Sequence, residues 1–133
     1  MSSTDSEVDE LNRLSNETIG AAIEVHRHLG PGLLESAYES CLCWELRQRG
    51  FDVENQVPVP IRYKGIALDE GYRIDLLVEG KLLLELKSID KVLPIHTAQV
   101  LTYLKMTGLK MALILNFNVS LMRSGIKRIV NQL

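Results

Sequence analysis

The sequence predicts an α/β fold, a central mixed β-sheet flanked by helices on both faces. Three observations carry this. Apolar residues recur at helical spacing through residues 16–49, and the period becomes strand-like from Phe51 onward. Two apolar runs of strand length, residues 74–78 and 82–86, flank Glu79-Gly80-Lys81 and read as a β-hairpin. A helical stretch then separates the second run from another apolar strand. Those two strands are expected to be parallel, with the helix as a right-handed crossover between them.

Each element follows in order. Residues 1–12 are polar and acidic and are expected to form a disordered tail, leaving residues 13–133 as a single domain. A first helix is expected over about 16–29, capped by Ser15 or Asn16. Ile19, Ala22, Ile23 and His26 form its inner stripe, and Gly30-Pro31-Gly32 stops it. A second helix is expected over about 33–49. Leu34, Ala37, Tyr38, Cys41, Leu42 and residues 44–46 give it a broad apolar surface, and Gly50 ends it. Trp44 and Phe51 read as core anchors. Val53, Val57, Val59 and Ile61 alternate with polar residues or proline, and Pro58 and Pro60 imply an edge strand or a bulge. Residues 63–66 contain a turn. After the hairpin, Pro94 opens a third helix over about 95–107, stopped by Gly108. Residues 109–117 form a buried strand, which Asn116 and Asn118 mark as exiting, and residues 125–130 a short basic one. The expected order is α-α-β-β-β-β-α-β-β.

Composition narrows the function classes. A chain of 133 residues with 46% hydrophobic content can bury a real core as one domain. The net charge of −2 gives no global electrostatic argument for nucleic acid, so any basic surface must be local. No apolar run approaches the length of a membrane span, and the N-terminus lacks the basic and apolar parts of a signal peptide. Cys41 and Cys43 lie two apart on a helix, a spacing that points them apart and disfavours a disulfide or shared metal. The expectation is a cytoplasmic protein with no membrane partner.

The chemistry concentrates in the hairpin. Asp75, Glu85 and Lys87 interrupt its apolar runs, and a buried charge is costly unless it is paired or binds a metal. Glu85 and Lys87 share one strand face, as do Arg73, Asp75 and Leu77, so hairpin pairing can bring Asp75 beside Glu85 and Lys87. Taken alone, a cross-strand ion pair explains these three residues better than a catalytic site does. Glu35 and Tyr38 share a face at the start of the second helix, where a carboxylate also suits the helix dipole. Gln99 and Tyr103 share a face of the third helix with His96, able to reach a phosphate or simply to sit half buried. His26 fits a hydrogen-bonded core histidine better than a metal ligand.

Together these residues resemble a known family. The run from Val25 through Gly30-Pro31-Gly32-Leu33-Leu34-Glu35-Ser36-Ala37-Tyr38 is similar to the signature of the GxxExxY proteins. The likeness continues through Tyr63-Lys64-Gly65, Tyr72-Arg73-Ile74-Asp75, Glu85-Leu86-Lys87, Gln99 to Leu104 and Asn116-Phe117-Asn118, and it covers about residues 16–131. That family is placed in the PD-(D/E)XK nuclease superfamily, so the resemblance implies a restriction-endonuclease-like core. Asp75 then matches the metal-binding Asp, with Ile74 standing where a Pro often precedes it. Glu85 and Lys87 match the E-x-K pair, and Glu35 the acidic residue of the early helix. Gln99 and Tyr103 resemble the Q-x-x-x-Y element of the RecB-like branch.

The resemblance implies a nuclease that hydrolyses phosphodiester bonds, with DNA ranked ahead of RNA. Asp75, Glu85, the Leu86 backbone carbonyl and Glu35 would bind Mg²⁺ or Mn²⁺. Lys87 would act on the attacking water. Gln99, Tyr103 and Arg73 would contact substrate, with Arg62, Lys64 and Lys91 as further candidates for the phosphate backbone. Related folds often act as dimers on DNA, which keeps a homodimer open, although the sequence carries no oligomer signature. The alternative is a catalytically silent nucleic-acid-binding or assembly module with a vestigial metal site, and a plain ion-pair cluster is a third reading.

Overall fold

A computed structural model gives the fold and describes residues 4–133. The elements are α1 (Asp5–Leu29), α2 (Glu35–Gln48), β1 (Val53–Pro58), β2 (Ile61–Tyr63), β3 (Ile66–Leu68), β4 (Arg73–Val78), β5 (Leu82–Lys87), α3 (Pro94–Thr107), β6 (Met111–Asn116) and β7 (Ile126–Val130), with a 3-10 turn at Met122–Gly125. Five strands form one sheet in the order β1-β4-β5-β6-β7, and β2-β3 form a separate ribbon. β5 and β6 are parallel and the other pairs antiparallel, so the sheet is mixed and α3 is the crossover. β1 is an edge strand and ends at Pro58, where a missing N–H costs the sheet no bond.

Alternation along the strands divides the core between the two faces. Leu76, Val78, Leu84, Leu86, Leu113 and Leu115 pack with Leu14, Ala21, Leu42 and Leu46 of α1 and α2. Leu77, Leu83, Ala112 and Ile114 pack with Val100, Tyr103 and Leu104 of α3. The expected sheet with helices on both faces is the observed one. No described helix is long and apolar enough to cross a membrane.

Several local expectations are corrected. α1 begins at Asp5, so residues 5–12 of the expected 1–12 tail belong to a helix. Residues 1–3 lie outside the described residues. Thr4 and Glu7 form a capping box, with the Glu7 N–H donating to Thr4 Oγ1 at 3.2 Å. Glu7 pairs with Lys110 at 3.1 Å and Glu10 with Lys81 at 2.7 Å, and Leu11 is buried. Ser15, an expected cap, is instead buried inside the helix. Trp44 is no core anchor: it is 62% exposed, and Leu34 and Cys41 also face solvent. α2 therefore buries a narrower stripe of Tyr38, Leu42, Cys43 and Leu46. The turn at residues 63–66 makes its own two-stranded ribbon, one strand more than expected. Gly125 closes the turn before β7 because a Cβ there would overlap the Asn116 carbonyl oxygen.

Candidate active site

β4 and β5 stop pairing at Leu76–Leu84, although both strands run on to Arg73 and Lys87. Asp75 and Glu85 are the next opposed pair in that register. A side-chain bond takes the place of the ladder: the Leu86 N–H donates to Asp75 Oδ2 at 2.8 Å. A strand residue turns its C=O to the same side as its N–H, so the Leu86 carbonyl also faces the Asp75 side. Glu85 is only 6% exposed, and Lys87 Nζ lies 3.8 Å from Glu85 Oε2. The structure therefore brings Asp75, Glu85, Leu86 and Lys87 together where two strands part.

The charge state of this group is unusual. Glu85 has its pKa pushed up to about 8, first by burial and then by the Asp75 carboxylate. The Lys87 ammonium opposes this, and Glu35 adds a smaller push upward. Glu85 Oε1 is buried without a hydrogen-bond partner. A buried, unpaired carboxylate oxygen is costly, and such groups in native proteins ask for an explanation.

Glu35 reaches the same place from α2. Its Oε1 accepts from the Ser88 N–H at 3.3 Å, just past Lys87. The loop before α2 sets this position. Tyr38 OH donates to the Gly30 carbonyl at 2.6 Å and accepts from the Leu33 N–H at 3.1 Å. Ser88 Oγ donates to the Leu33 carbonyl at 2.6 Å. Tyr38 itself is buried and stacks on Phe117 at 4.4 Å, so it braces Glu35 rather than joining it. Asn116 grips the far side of the same segment, bonding both the N–H and the carbonyl of Ile89.

Gln99 and Tyr103 sit on α3, facing the strands. Gln99 Nε2 donates to Tyr103 OH at 2.9 Å, which leaves the phenolic proton free to donate elsewhere. Burial first, then the charge of Glu85 and more weakly that of Asp75, raises the Tyr103 pKa, which ties the ring to the carboxylate pair. Arg73 does not join the carboxylate pair. It pairs with Asp69 at 3.1 Å and donates to the Tyr72 carbonyl at 2.9 Å. His96 caps α3 by accepting from the Leu93 N–H at 2.9 Å. His26 is a core histidine, bonded through Nε2 to the Val119 carbonyl at 2.7 Å.

Two neighbours escaped the sequence reading. Gln56 of β1 donates from Nε2 to Glu39 Oε1 at 2.8 Å and to Asp75 Oδ1 at 3.5 Å. Glu39 follows Glu35 by one helical turn. Burial raises its pKa most, with Asp75 and Glu35 adding to the push and the Gln56 bond opposing it. Only Glu39's helical spacing from Glu35 was there to be read; nothing near Gln56 marks it.

Among the described residues, no three His, Cys, Asp or Glu side chains gather closely enough to hold a metal ion by themselves. The donors that do meet are two carboxylates and a backbone carbonyl. Hard oxygens of this kind suit Mg²⁺ or Mn²⁺, which keep several waters in any case. The unpartnered Glu85 oxygen is the feature that fits such a cation best.

A sequence model of the PD-(D/E)XK nuclease superfamily matches residues 12–129. No curated protein and no solved structure matches the chain.

Proposed function

The chain belongs to the PD-(D/E)XK nuclease superfamily, and from that premise we propose that it is a metal-dependent nuclease hydrolysing phosphodiester bonds of nucleic acid, DNA ahead of RNA. The observation that carries this reading is Glu85. A carboxylate held in the core beside Asp75 and Lys87, with one oxygen unbonded, is a poor structural ion pair and a good cation ligand.

Asp75 and Glu85 would hold Mg²⁺ or Mn²⁺ together with the Leu86 carbonyl, and Glu35 would complete the shell. A divalent cation bound there supplies an acidified water and neutralises charge on the phosphate. Lys87, as an ammonium, orients the attacking water and stabilises negative charge developing on the phosphate oxygens. Tyr103 donates its free hydroxyl proton to a phosphate or water oxygen, and Gln99 holds that hydroxyl in place. Arg73, released from Asp69, is a candidate for the phosphate backbone, as are Arg62, Lys64 and Lys91.

The test is cleavage of labelled duplex DNA, single-stranded DNA and RNA with Mn²⁺, wild type against Lys87→Ala. Lys87 lies at the site and not in a core cluster, so its loss should spare the fold. Cleavage by wild type alone supports the reading and identifies the substrate. Equal background cleavage by both proteins sinks it in favour of a silent binding module.

A further inference from the structure

β1 and β4 both change face at a single opposed pair. Val53 and Leu76 pack with α1 and α2, whereas Val57 and Ile74 pack on the α3 side. Residues four apart on β1, or two apart on β4, would share a face in a regular strand. Between them the register passes from Asn55–Leu76 to Val57–Ile74 without a Gln56–Asp75 bridge. Gln56 has a φ of 52°, a left-handed conformation that a glutamine rarely adopts. Such strain persists only where the surroundings hold it, and strand distortions of this kind re-aim side chains.

What is re-aimed is Asp75. Its Oδ2 takes the Leu86 N–H, and its Oδ1 faces the Gln56 amide. The same amide nitrogen is anchored on Glu39 of α2. We infer that Gln56 is a positioning residue, fixing the Asp75 carboxylate from the edge strand while Glu39 holds Gln56. One amide between two carboxylates also offsets their mutual repulsion, which a hydrocarbon side chain would not do. The inference rests on the metal-dependent reading above, because a ligand carboxylate must be held in one pose to bind well.

Gln56→Asn is the informative variant. Asparagine tolerates a left-handed backbone better than most residues, so it shortens the reach without adding strain. Two quantities are read on the intact protein. The first is Mn²⁺ affinity, from the metal-dependent rise in melting temperature. The second is the Leu86 amide resonance of the metal-free protein, which reports the Asp75 bond directly, with Asp75→Ala giving the signal of its loss.

Gln56→Asn is expected to move the Leu86 amide toward the Asp75→Ala position and to weaken Mn²⁺ binding about ten- to hundredfold, as outer partners of metal ligands do. Glu39→Ala should act in the same direction, and the double variant should be little worse than either single one, because the two act in series. If Gln56→Asn leaves both the amide and the Mn²⁺ affinity at wild-type values, Gln56 does not position Asp75. If wild type itself shows no Mn²⁺ binding, the metal-dependent reading falls instead, and the Leu86 amide alone decides the role of Gln56.

Discussion

Glu85 concentrates the tension of the molecule in one side chain. Burial and Asp75 lift its pKa to about 8, so near neutrality the metal-free protein keeps a proton there. A cation bound through Glu85 would have to displace that proton. Mn²⁺ affinity is therefore expected to rise with pH up to about 8, by as much as tenfold per unit, and then to level off. A titration at pH 6, 7, 8 and 9 checks this, and a flat profile would remove Glu85 from the ligand set. The same shift bears on stability. The unfolded carboxyl titrates near 4.5 and the folded one near 8, so between those values the unfolded chain binds fewer protons. Stability then falls as pH rises through that window, and the full penalty stands above it. Glu85→Gln removes the titration and keeps the shape. Metal-free Glu85→Gln should match wild type near pH 4 and exceed it above pH 8, where the burial penalty on the wild-type carboxylate stands in full. It should also lose the response to Mn²⁺. A melting series of the two proteins across pH decides both points.

At the scale of elements, the start of α2 is built by hydrogen bonds more than by helix propensity. No side chain caps it, and the loop before it is held by Tyr38 OH on Gly30 and Leu33. Tyr38→Phe keeps the stack on Phe117 but strips both bonds. It is expected to cost about 1–3 kcal/mol in urea unfolding, and to lower cleavage at temperatures where the variant remains folded, because Glu35 and the Leu33–Ser88 contact lose their brace. Unchanged stability would mean that water replaces the hydroxyl. This pair also shows what sequence reading can and cannot reach. Helical spacing placed Glu35 and Tyr38 near each other, but spacing does not say that the phenol turns inward to the loop while the carboxylate turns to Ser88. The hairpin was more legible, since Asp75, Glu85 and Lys87 interrupt apolar runs where charges stand out. The parallel β5–β6 pair followed from the helix between them. Gln56 was not legible, because its place depends on a left-handed backbone and on β1–β4 register, neither of which leaves a local mark. Trp44 misled for the opposite reason: an aromatic residue suggests core, yet its helix position turns it outward. The early start of α1 was hidden by its polar composition, although Thr4 and Glu7 have capping-box spacing.

The whole molecule carries 15 basic and 17 acidic residues, so it cannot hold nucleic acid by a general positive field. Much of its basic charge is also neutralised locally. Arg27, Arg49, Arg73, Lys81 and Lys110 all lie in ion pairs. The β2–β3 ribbon is one of the places where basic charge is left outside such pairs. It stands outside the main sheet, its residues are largely exposed, and among the described residues neither Arg62 nor Lys64 is in an ion pair. Lys64 lies over the exposed Tyr63 ring at 5.4 Å. The chain leads from this ribbon through Tyr72, whose ring meets the edge of Tyr103 at 6.0 Å, into the strand that carries Asp75. That continuity makes the ribbon a candidate to meet the phosphate backbone of a substrate at the carboxylate pair. Few phosphate contacts mean a shallow salt dependence, because each contact contributes about 0.9 to the slope of log affinity against log salt on duplex DNA. Binding of labelled duplex by the Lys87→Ala protein, measured by anisotropy over a salt series, should show such a shallow slope. Adding Arg62→Ala and Lys64→Ala should weaken binding and flatten the slope by about two. A slope that does not change on losing both would place the substrate elsewhere on the surface, and the proposed reacting centre at the carboxylate pair and Lys87 would then rest on the cleavage test alone.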